Sequence, residues 1–377
     1  MVIRHIVAVT RKELQHIFRD RTTFILVMFS PLMLLILMAY ALTVEIQHVP
    51  IAILDQDRSS VSRMFSHKVT AGDDLDLYAQ VESLDEIENL LVRGKIKAAV
   101  VIHPSFARDL LSMKGISLQI IIDGTEPESG GFAVDHIGWR TEEFVDTVLA
   151  RQMQAIYPGL DTLQPIDLRV RAWYNPSLKP RVDLIPGLIS MVLGLPALSV
   201  ALALAKEREH GTLEQLMATP IGRVELLLGK MIPYIIVGMF NVIVLPVFSM
   251  LWFDSPFNGN FFLYIFLSVF FLFAILSMGI LLGGFIPTQA AAMALSFLVI
   301  FFPGFFLTGI FFPIASMPEI MRLEGLGLPG THYAIICRGF FITGVGLDIL
   351  WPYAVALIGI GSIFTVIAAL FFRKKLG

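Results

Sequence analysis

The stretch "AKEREHGTLEQLMATPIGR", residues 205–223, sets six charged residues between two long apolar runs. Its local grammar is that of a helix that ends and a second that begins. Gly211 suits the left-handed position just past a helix end. Thr212 then reads as an N-cap and Gln215 as the residue reaching back to it, a capping box. Leu213, Leu216 and Met217 fall on one face of the new helix, and Pro220 stops it. The reading is a short amphipathic helix broken away from an apolar one and lying at a membrane surface. The alternative is a solvated loop with an incidental cap.

The rest of the chain agrees with a membrane setting. Its 377 residues are 56% hydrophobic and 16% charged, where a soluble chain carries about 25% charged residues. Mean hydropathy is +0.75, and 30 phenylalanines and 16 methionines suit contact with lipid. A net charge of −3 gives no reason to invoke nucleic acid, and the single cysteine, Cys337, excludes an internal disulfide and a cysteine-based metal cluster. The first apolar run starts near Thr23 behind a charged stretch and lacks a small-x-small exit, so it reads as an anchor that is retained.

Crossing a bilayer takes about 20 apolar residues, and six runs qualify: 23–42, 184–205, 229–252, 261–285, 290–312 and 350–372. Lys and Arg cluster in the opening segment (Arg4, Arg11, Lys12, Arg19, Arg21), after the second run (Lys206, Arg208, Arg223, Lys230) and at the end (Arg373, Lys374, Lys375). Positive charge stays on the cytoplasmic side, so both termini are expected there, as in a multi-pass membrane protein. The hairpin "GGFIPTQAA" between the fourth and fifth runs has neither Lys nor Arg, and parity alone places it inside.

Residues 43–182 are mostly polar and lie between the first two runs, hence outside. "VPIAILD", "KAAVVIH" and "ISLQIIID" read as strands. "SLDEIENLLVRG" is a helix with a capping box from Ser83 to Glu86, "PSFARDLLSMK" a helix with Pro104 at its start, and a long helix covers 127–156 before "YPG". "IDLRVRAWYN" reads as a closing strand. Strand–helix alternation makes this an extracytoplasmic α/β domain inserted into an α-helical membrane protein. Asp55 and Asp57 in "LDQDRSS" fit a strand-end turn capping the next helix, since the glycine and glutamate of a calcium loop are missing.

Residues 1–22 form a second surface element. Ile3, Ile6, Val7, Thr10, Leu14, Ile17 and Phe18 share about 120° of a helical wheel, with Arg4, Arg11, Lys12, Gln15 and Arg19 opposite and Val2 and Val9 as exceptions. Such a helix lies in the interface plane, in contact with lipid.

These segments resemble ABC-2 type exporter permeases. "RKELQHIFRDRTTFILVMFSPLMLL" is similar to the family's opening, with Lys12–Glu13, Arg19–Asp20 and a span holding Pro31. "VPIAILDQDRSSVSRMF" resembles the start of the external domain in the subgroup that has one. In "KEREHGTLEQLMATPI", Glu207, Glu209, Gly211, Thr212, Glu214, Leu216, Thr219 and Pro220 match the segment after span two. The resemblance covers essentially the whole chain. It implies a half-transporter that pairs with a second copy or paralogue and exports drugs, lipids or other hydrophobic compounds. ATP and Mg would sit on a cytosolic ATPase subunit whose stroke is received by the N-terminal helix and the Gly211–Pro220 helix. A periplasmic adaptor and outer-membrane channel would meet the external domain. No cofactor is expected on the chain itself. "GRVELLLGKM" is no P-loop: six residues separate Gly222 from Gly229, and Met231 stands where Ser or Thr belongs.

Glu207, Arg208 and Glu209 are candidates for pairing with the ATPase or the N-terminal helix, against plain solvation. Asn241, deep in a span, either bonds a neighbouring helix or touches substrate. Pro31, Pro186, Pro196, Pro233 and Pro246 are hinges or simple kinks. Gly279 and Gly283 make a close-packing GxxxG. Residues 313–349, with apolar patches at Phe311, Phe312 and beyond, are expected to form short re-entrant or interfacial helices at an outer exit gate, or else a loop packed on the external domain. No catalytic constellation stands out. The competing function is a non-transporting anchor or receptor whose external domain binds a ligand or envelope scaffold, and such an anchor needs no second cytoplasmic lever.

Overall fold

The computed structural model describes residues 2–42, 48–112, 118–156, 173–175, 179–218 and 221–371. The chain divides into the unit Glu45–Val170 and a unit made of Met1–Val44 and Arg171–Gly377. The latter opens with α1 (Val2–Arg19), α2 (Arg21–Met28) and α3 (Ser30–Leu42). The inserted unit runs β1 (Val49–Asp55), α4 (Ser60–Val69), β2 (Leu75–Gln80), α5 (Leu84–Val92), β3 (Ala98–Ile102), α6 (Phe106–Leu111), β4 (Leu118–Ile122) and α7 (Pro127–Ile156). The chain returns through α8 (Pro180–Val192), α9 (Leu195–Glu209), α10 (Thr212–Ala218), α11 (Arg223–Phe253), α12 (Phe261–Phe285) and α13 (Gln289–Ser296). It ends with α14 (Phe302–Phe306), α15 (Glu319–Gly327), α16 (Pro329–Arg338) and α17 (Leu347–Phe371).

In the inserted unit the sheet order is β2-β1-β3-β4, with β1 parallel to β2 and β3, and β4 antiparallel to β3. Period-2 alternation sorts the side chains. Ile51, Ile53 and Val100 meet Phe65 of α4, Phe106 of α6 and Phe144 of α7, while Ala52, Leu54 and Val101 meet Ile87 of α5 on the other face. Strand β2 is absent from the sequence reading. It is an edge strand with Leu77 and Tyr78 exposed and a bulge opposite Ile51/Ala52, so its apolar alternation is weak. Asp55 does form a turn: its Oδ1 accepts from the Asp57 and Arg58 N–H groups (3.1 and 2.9 Å) and its Oδ2 from the Ser62 hydroxyl (2.7 Å). Ser83 caps α5 by accepting from Glu86 N–H (3.3 Å), but the Glu86 carboxylate reaches the Glu82 N–H (3.1 Å) instead of that of Ser83. Helix α6 starts at Phe106, two residues past Pro104. The expected strand 166–175 falls mainly outside the described residues.

Among the described residues, five helical stretches are long and apolar enough to cross a membrane: 180–209, α11, α12, 289–306 and α17. The expected first span, 23–42, is instead two short helices, α2 and α3, meeting at Phe29. The fifth, expected to reach 312, stops at Phe306 because Gly309 (φ +80°) turns the chain away. Phe311 therefore sits in a cluster with Met191, Ile310 and Ala334, and Phe312 is exposed. Residues 313–349 are largely helical. Helix α15 exposes Ile320 and Leu323, whereas α16 is buried, its Tyr333 ring stacked on Phe271 of α12 at 4.0 Å between centroids. The Tyr333 hydroxyl is 2.7 Å from the Ser268 hydroxyl.

Helices α9 and α12 approach to backbone contact. A Cβ on Gly279 would stand 2.4 Å from the Ala197 carbonyl oxygen, and one on Gly283 2.5 Å from that of Ala201. Ala at either glycine must push the helices apart, and overpacking of this kind costs about 1–3 kcal/mol. Gly359 of α17 meets nothing within 4 Å. Thermal unfolding of the full chain in nanodiscs is therefore expected to show G279A and G283A clearly destabilised and G359A unchanged or slightly stabilised.

Candidate functional site

The charged elbow quoted at the outset is built as a helix end followed by a new helix. Helix α9 ends at Glu209, His210 is its C-cap, and Gly211 takes φ +70°, where its N–H bonds the Arg208 carbonyl (3.0 Å). Helix α10 then begins at Thr212 itself, one residue earlier than a cap there requires. The Thr212 hydroxyl donates to the Glu207 carbonyl (3.0 Å), one of the carbonyls α9 leaves open at its end, so it joins the two helices. Leu213 is buried and Leu216 half-buried. The side chains of Glu214 and Met217, and Thr219 and Pro220 entirely, lie outside the described residues.

Four charges from three helices meet beside this elbow. Lys230, eighth residue of α11, places Nζ 3.0 Å from Glu13 Oε1 of α1 and 2.5 Å from Glu207 Oε2 of α9. Lys12 Nζ lies 2.9 Å from Glu207 Oε1 and 3.4 Å from Glu13 Oε1. Cations and carboxylates alternate, and the side chains of Lys230 and Glu13 are only 3% exposed. Three of the four, Lys230, Glu13 and Glu207, are largely withdrawn from solvent, and such charges are tolerable only because each faces its opposite; Lys12 closes the cluster from the exposed side. Partial burial alone draws the Lys12 ammonium down, but the hydrogen bond and charge of Glu207, backed by Glu13, outweigh it and hold its pKa above the ordinary value. A raised lysine pKa means that its share of the cluster's stability is intact through neutral pH and is lost as pH rises past that value.

Further ties fasten the same joint. His5 Nδ1 is 2.8 Å from Glu225 Oε2, and the Thr10 hydroxyl donates to the Gly229 carbonyl (3.3 Å). At Gly229 a Cβ would fall 2.7 Å from that of Val9, so α1 lies directly on α11. The packed line of α1 is thus Val9–Glu13–Ile17, spaced by four, while Ile3, Val7 and Phe18 of the expected apolar stripe are exposed. Val9, an exception on the wheel, belongs to the contact face.

Arg208 and Glu209 are also engaged within the chain. Arg208 Nη1 donates to the Gly284 carbonyl (2.6 Å), and Glu209 Oε2 accepts from Gln289 N and Nε2 (3.1 and 2.9 Å). The turn between α12 and α13, which carries no Lys or Arg, therefore lies at the same end of the bundle as α1 and the elbow. Arg11 and Arg19 are exposed, and Asp20 sits between α1 and α2. Asn241 is fully buried and its Nδ2 donates to the Val27 carbonyl (2.9 Å), an interhelical bond. Phe311 packs instead against Met191, Ile310 and Ala334, and Phe312 is exposed. Lys230 is the member that sequence reasoning missed. It reads as flanking basic charge, and its only signal is its place seven residues inside an apolar helix.

The sequence profile of a family described as ABC-2 family transporter protein matches residues 21–370. The chain is 28% identical over 366 residues to the probable multidrug ABC transporter permease YbhS of Escherichia coli (strain K12), covering 95% of each chain. It is 26% identical over 366 residues to the probable multidrug ABC transporter permease YbhR of the same organism, covering 97% of each. It is 28% identical over 384 residues to the E. coli inner membrane transport permease YhhJ, covering all of this chain and 98% of that one. A bundle of apolar helices with its charged elbow and inserted α/β unit, matched over its whole length by these relatives, belongs to the ABC-2 family as a transporter permease subunit.

Proposed function

We propose that the chain moves drugs, lipids or other hydrophobic compounds out of the cytoplasm or inner leaflet of a bacterial inner membrane. ATP and Mg would be held by a separate cytosolic ATPase subunit that pushes on α10 and α1. The observation that carries this reading is the Lys12–Glu13–Glu207–Lys230 cluster, which joins α1, α9 and α11 at the elbow from which α10 leaves. A force on α10 or α1 then moves two candidate spans at once. The clustering of α1, the elbow and the α12–α13 turn at one end, with the Lys and Arg distribution, supports a cytoplasmic location for all three and for both termini.

A second permease copy or paralogue completes the path. The apolar pocket bounded by Met191, Leu195, Phe271 and Ile300 within the bundle measures about 30 Å³, where a site for a drug-sized compound needs roughly 300 Å³ or more; the larger apolar space, about 690 Å³, is an open groove between α1, α11 and α17. The stretch 289–306 is the least buried of the five, at 17%, and offers Phe297, Leu298 and Phe302 to a neighbour. The names of YbhS and YbhR support multidrug cargo, and that of YhhJ an inner-membrane address.

The test is ATP turnover by the full chain co-assembled with a cytosolic P-loop ABC ATPase subunit from the same organism. Leu216→Asp puts a charge on the half-buried face of α10 and is expected to lower permease-dependent turnover about 10-fold or more, the equivalent of about 1.4 kcal/mol. Glu209→Gln, whose partner is Gln289 of the same chain, is expected to change it far less. Unaltered turnover in Leu216→Asp would remove α10 from the coupling path.

A further inference from the structure

Pro31 has no N–H, so the carbonyl of Val27, four residues earlier, is deprived of the helical hydrogen bond it would otherwise accept. The helix breaks at this place: α2 ends at Met28, Phe29 is a turn and α3 begins at Ser30. The bonds on either side persist, Phe29 N–H to the Ile25 carbonyl (2.9 Å) and Met33 N–H to the Phe29 carbonyl (3.0 Å). The acceptor that Pro31 leaves open is the one Asn241 Nδ2 reaches across from α11, at 2.9 Å.

Both Val27 and Asn241 are fully buried, and in the membrane interior no water replaces a missing donor. The Asn241 Oδ1 has no partner among the described residues. The amide is therefore held for its N–H, and its orientation is fixed by the carbonyl it must face. Helix α11 also carries Lys230, eleven residues and about 16 Å nearer the charge cluster. One helix thus grips α1 through charge and the α2–α3 joint through an amide. Between these grips the chain is nearly continuous, because the Asp20 N–H bonds the His16 carbonyl and the Phe24 N–H the Asp20 carbonyl, both at 2.9 Å.

We propose that Asn241 is a positioning residue of the transport cycle. By donating to the carbonyl that Pro31 leaves free, it pins the α2–α3 joint to α11, so that a displacement of α1 passes through a defined pivot into α3. The use of this pivot in transport rests on the permease–ATPase reading; the Pro31–Asn241 pairing does not.

The experiment compares Asn241→Leu, Pro31→Ala and the double variant in the full chain, reconstituted in lipid nanodiscs. Leucine keeps the number and branching of asparagine's side-chain heavy atoms, though in a larger volume, and removes its donor; the Pro31→Ala background carries the same extra volume, so the comparison between backgrounds isolates the donor. Alanine at 31 restores an N–H for the Val27 carbonyl, so the donor from α11 becomes dispensable. Asn241→Leu alone is expected to lower the unfolding midpoint by about 4 °C or more, or to prevent folding, and in the Pro31→Ala background its effect should shrink to about a third or less. An equal loss in both backgrounds overturns the pairing. The second readout is ATP turnover with the co-assembled cytosolic P-loop ABC ATPase subunit. The double variant, folded but with its joint straightened, is expected to retain about a tenth or less of wild-type turnover. Full turnover would overturn the positioning role. If the wild-type chain leaves that ATPase unaltered, the permease–ATPase reading fails instead, and the midpoint comparison still decides the pairing.

Discussion

Replacing Lys230 with methionine is expected to destabilise the membrane unit by about 3–5 kcal/mol, the range for removing one partner from a buried ion pair. Methionine keeps most of the lysine stem, so the loss is one of charge. Glu13, 3% exposed, would keep only Lys12, 3.4 Å away and itself 53% exposed, and Lys12 would have to serve Glu207 as well. One cation would then face two carboxylates. Adding Glu13→Gln returns the cluster to one charge of each sign, Lys12 with Glu207, and should recover most of the stability. Lys12→Met removes the exposed cation and is expected to cost about 1 kcal/mol or less. Unfolding midpoints in nanodiscs give the ranking. A Lys230→Met chain as stable as wild type would mean that α1 is held to α11 by Val9 packing on Gly229 and not by charge.

The contrast between Gly211 and Lys230 shows what a sequence makes legible. Gly211, Ser83 and Asp55 act on residues within seven positions of themselves, so their roles as helix terminator, cap and turn former can be read from the string. The same holds for five of the six apolar runs, each of which gives a helical stretch long enough to span, while the sixth, 23–42, is divided near Pro31. Lys230 acts on Glu13, 217 positions away, and its burial depends on three helices meeting. Nothing local distinguishes it from the basic residues that flank spans. Strand β2 escaped for a related reason: an edge strand packs on one side, and its bulge at Tyr78 breaks the alternation that would announce it. Thr212 and Val9 show local grammar supplemented or overridden by a neighbour. The threonine hydroxyl has an open carbonyl of α9 within reach, and the valine faces a glycine on α11. The pairing of Asn241 with Pro31 lies between these cases. Each residue is conspicuous alone, and only the fold shows that the donor of one answers the donor missing from the other.

Replacing Arg338 with leucine is expected to cost about 3–5 kcal/mol, more than the loss of a surface ion pair explains. Arg338 ends α16 and donates from Nη1 to the Gly309 carbonyl (2.9 Å) and from Nη2 to the Ile310 carbonyl (3.3 Å) and Asp183 Oδ2 (2.9 Å). Its Nε also lies 2.7 Å from Asp183 Oδ1. The two carbonyls belong to the turn where the stretch 289–306 gives out, and non-helical backbone beside a bilayer needs donors from the protein. The fork of a guanidinium reaches two carbonyls and a carboxylate at once, whereas a lysine offers one nitrogen at one point. Arg338→Lys should therefore cost about 2 kcal/mol, and Asp183→Asn, whose side chain is 55% exposed, under about 1 kcal/mol. The order Asp183→Asn, Arg338→Lys, Arg338→Leu in falling stability, read from unfolding midpoints and from protease cleavage within 307–318, is the signature of carbonyl capping. Were Asp183→Asn as damaging as Arg338→Leu, the ion pair and not the turn would be what Arg338 serves, and the end of the stretch 289–306 would have to be held by the packing of Phe311 against Met191 and Ala334 alone.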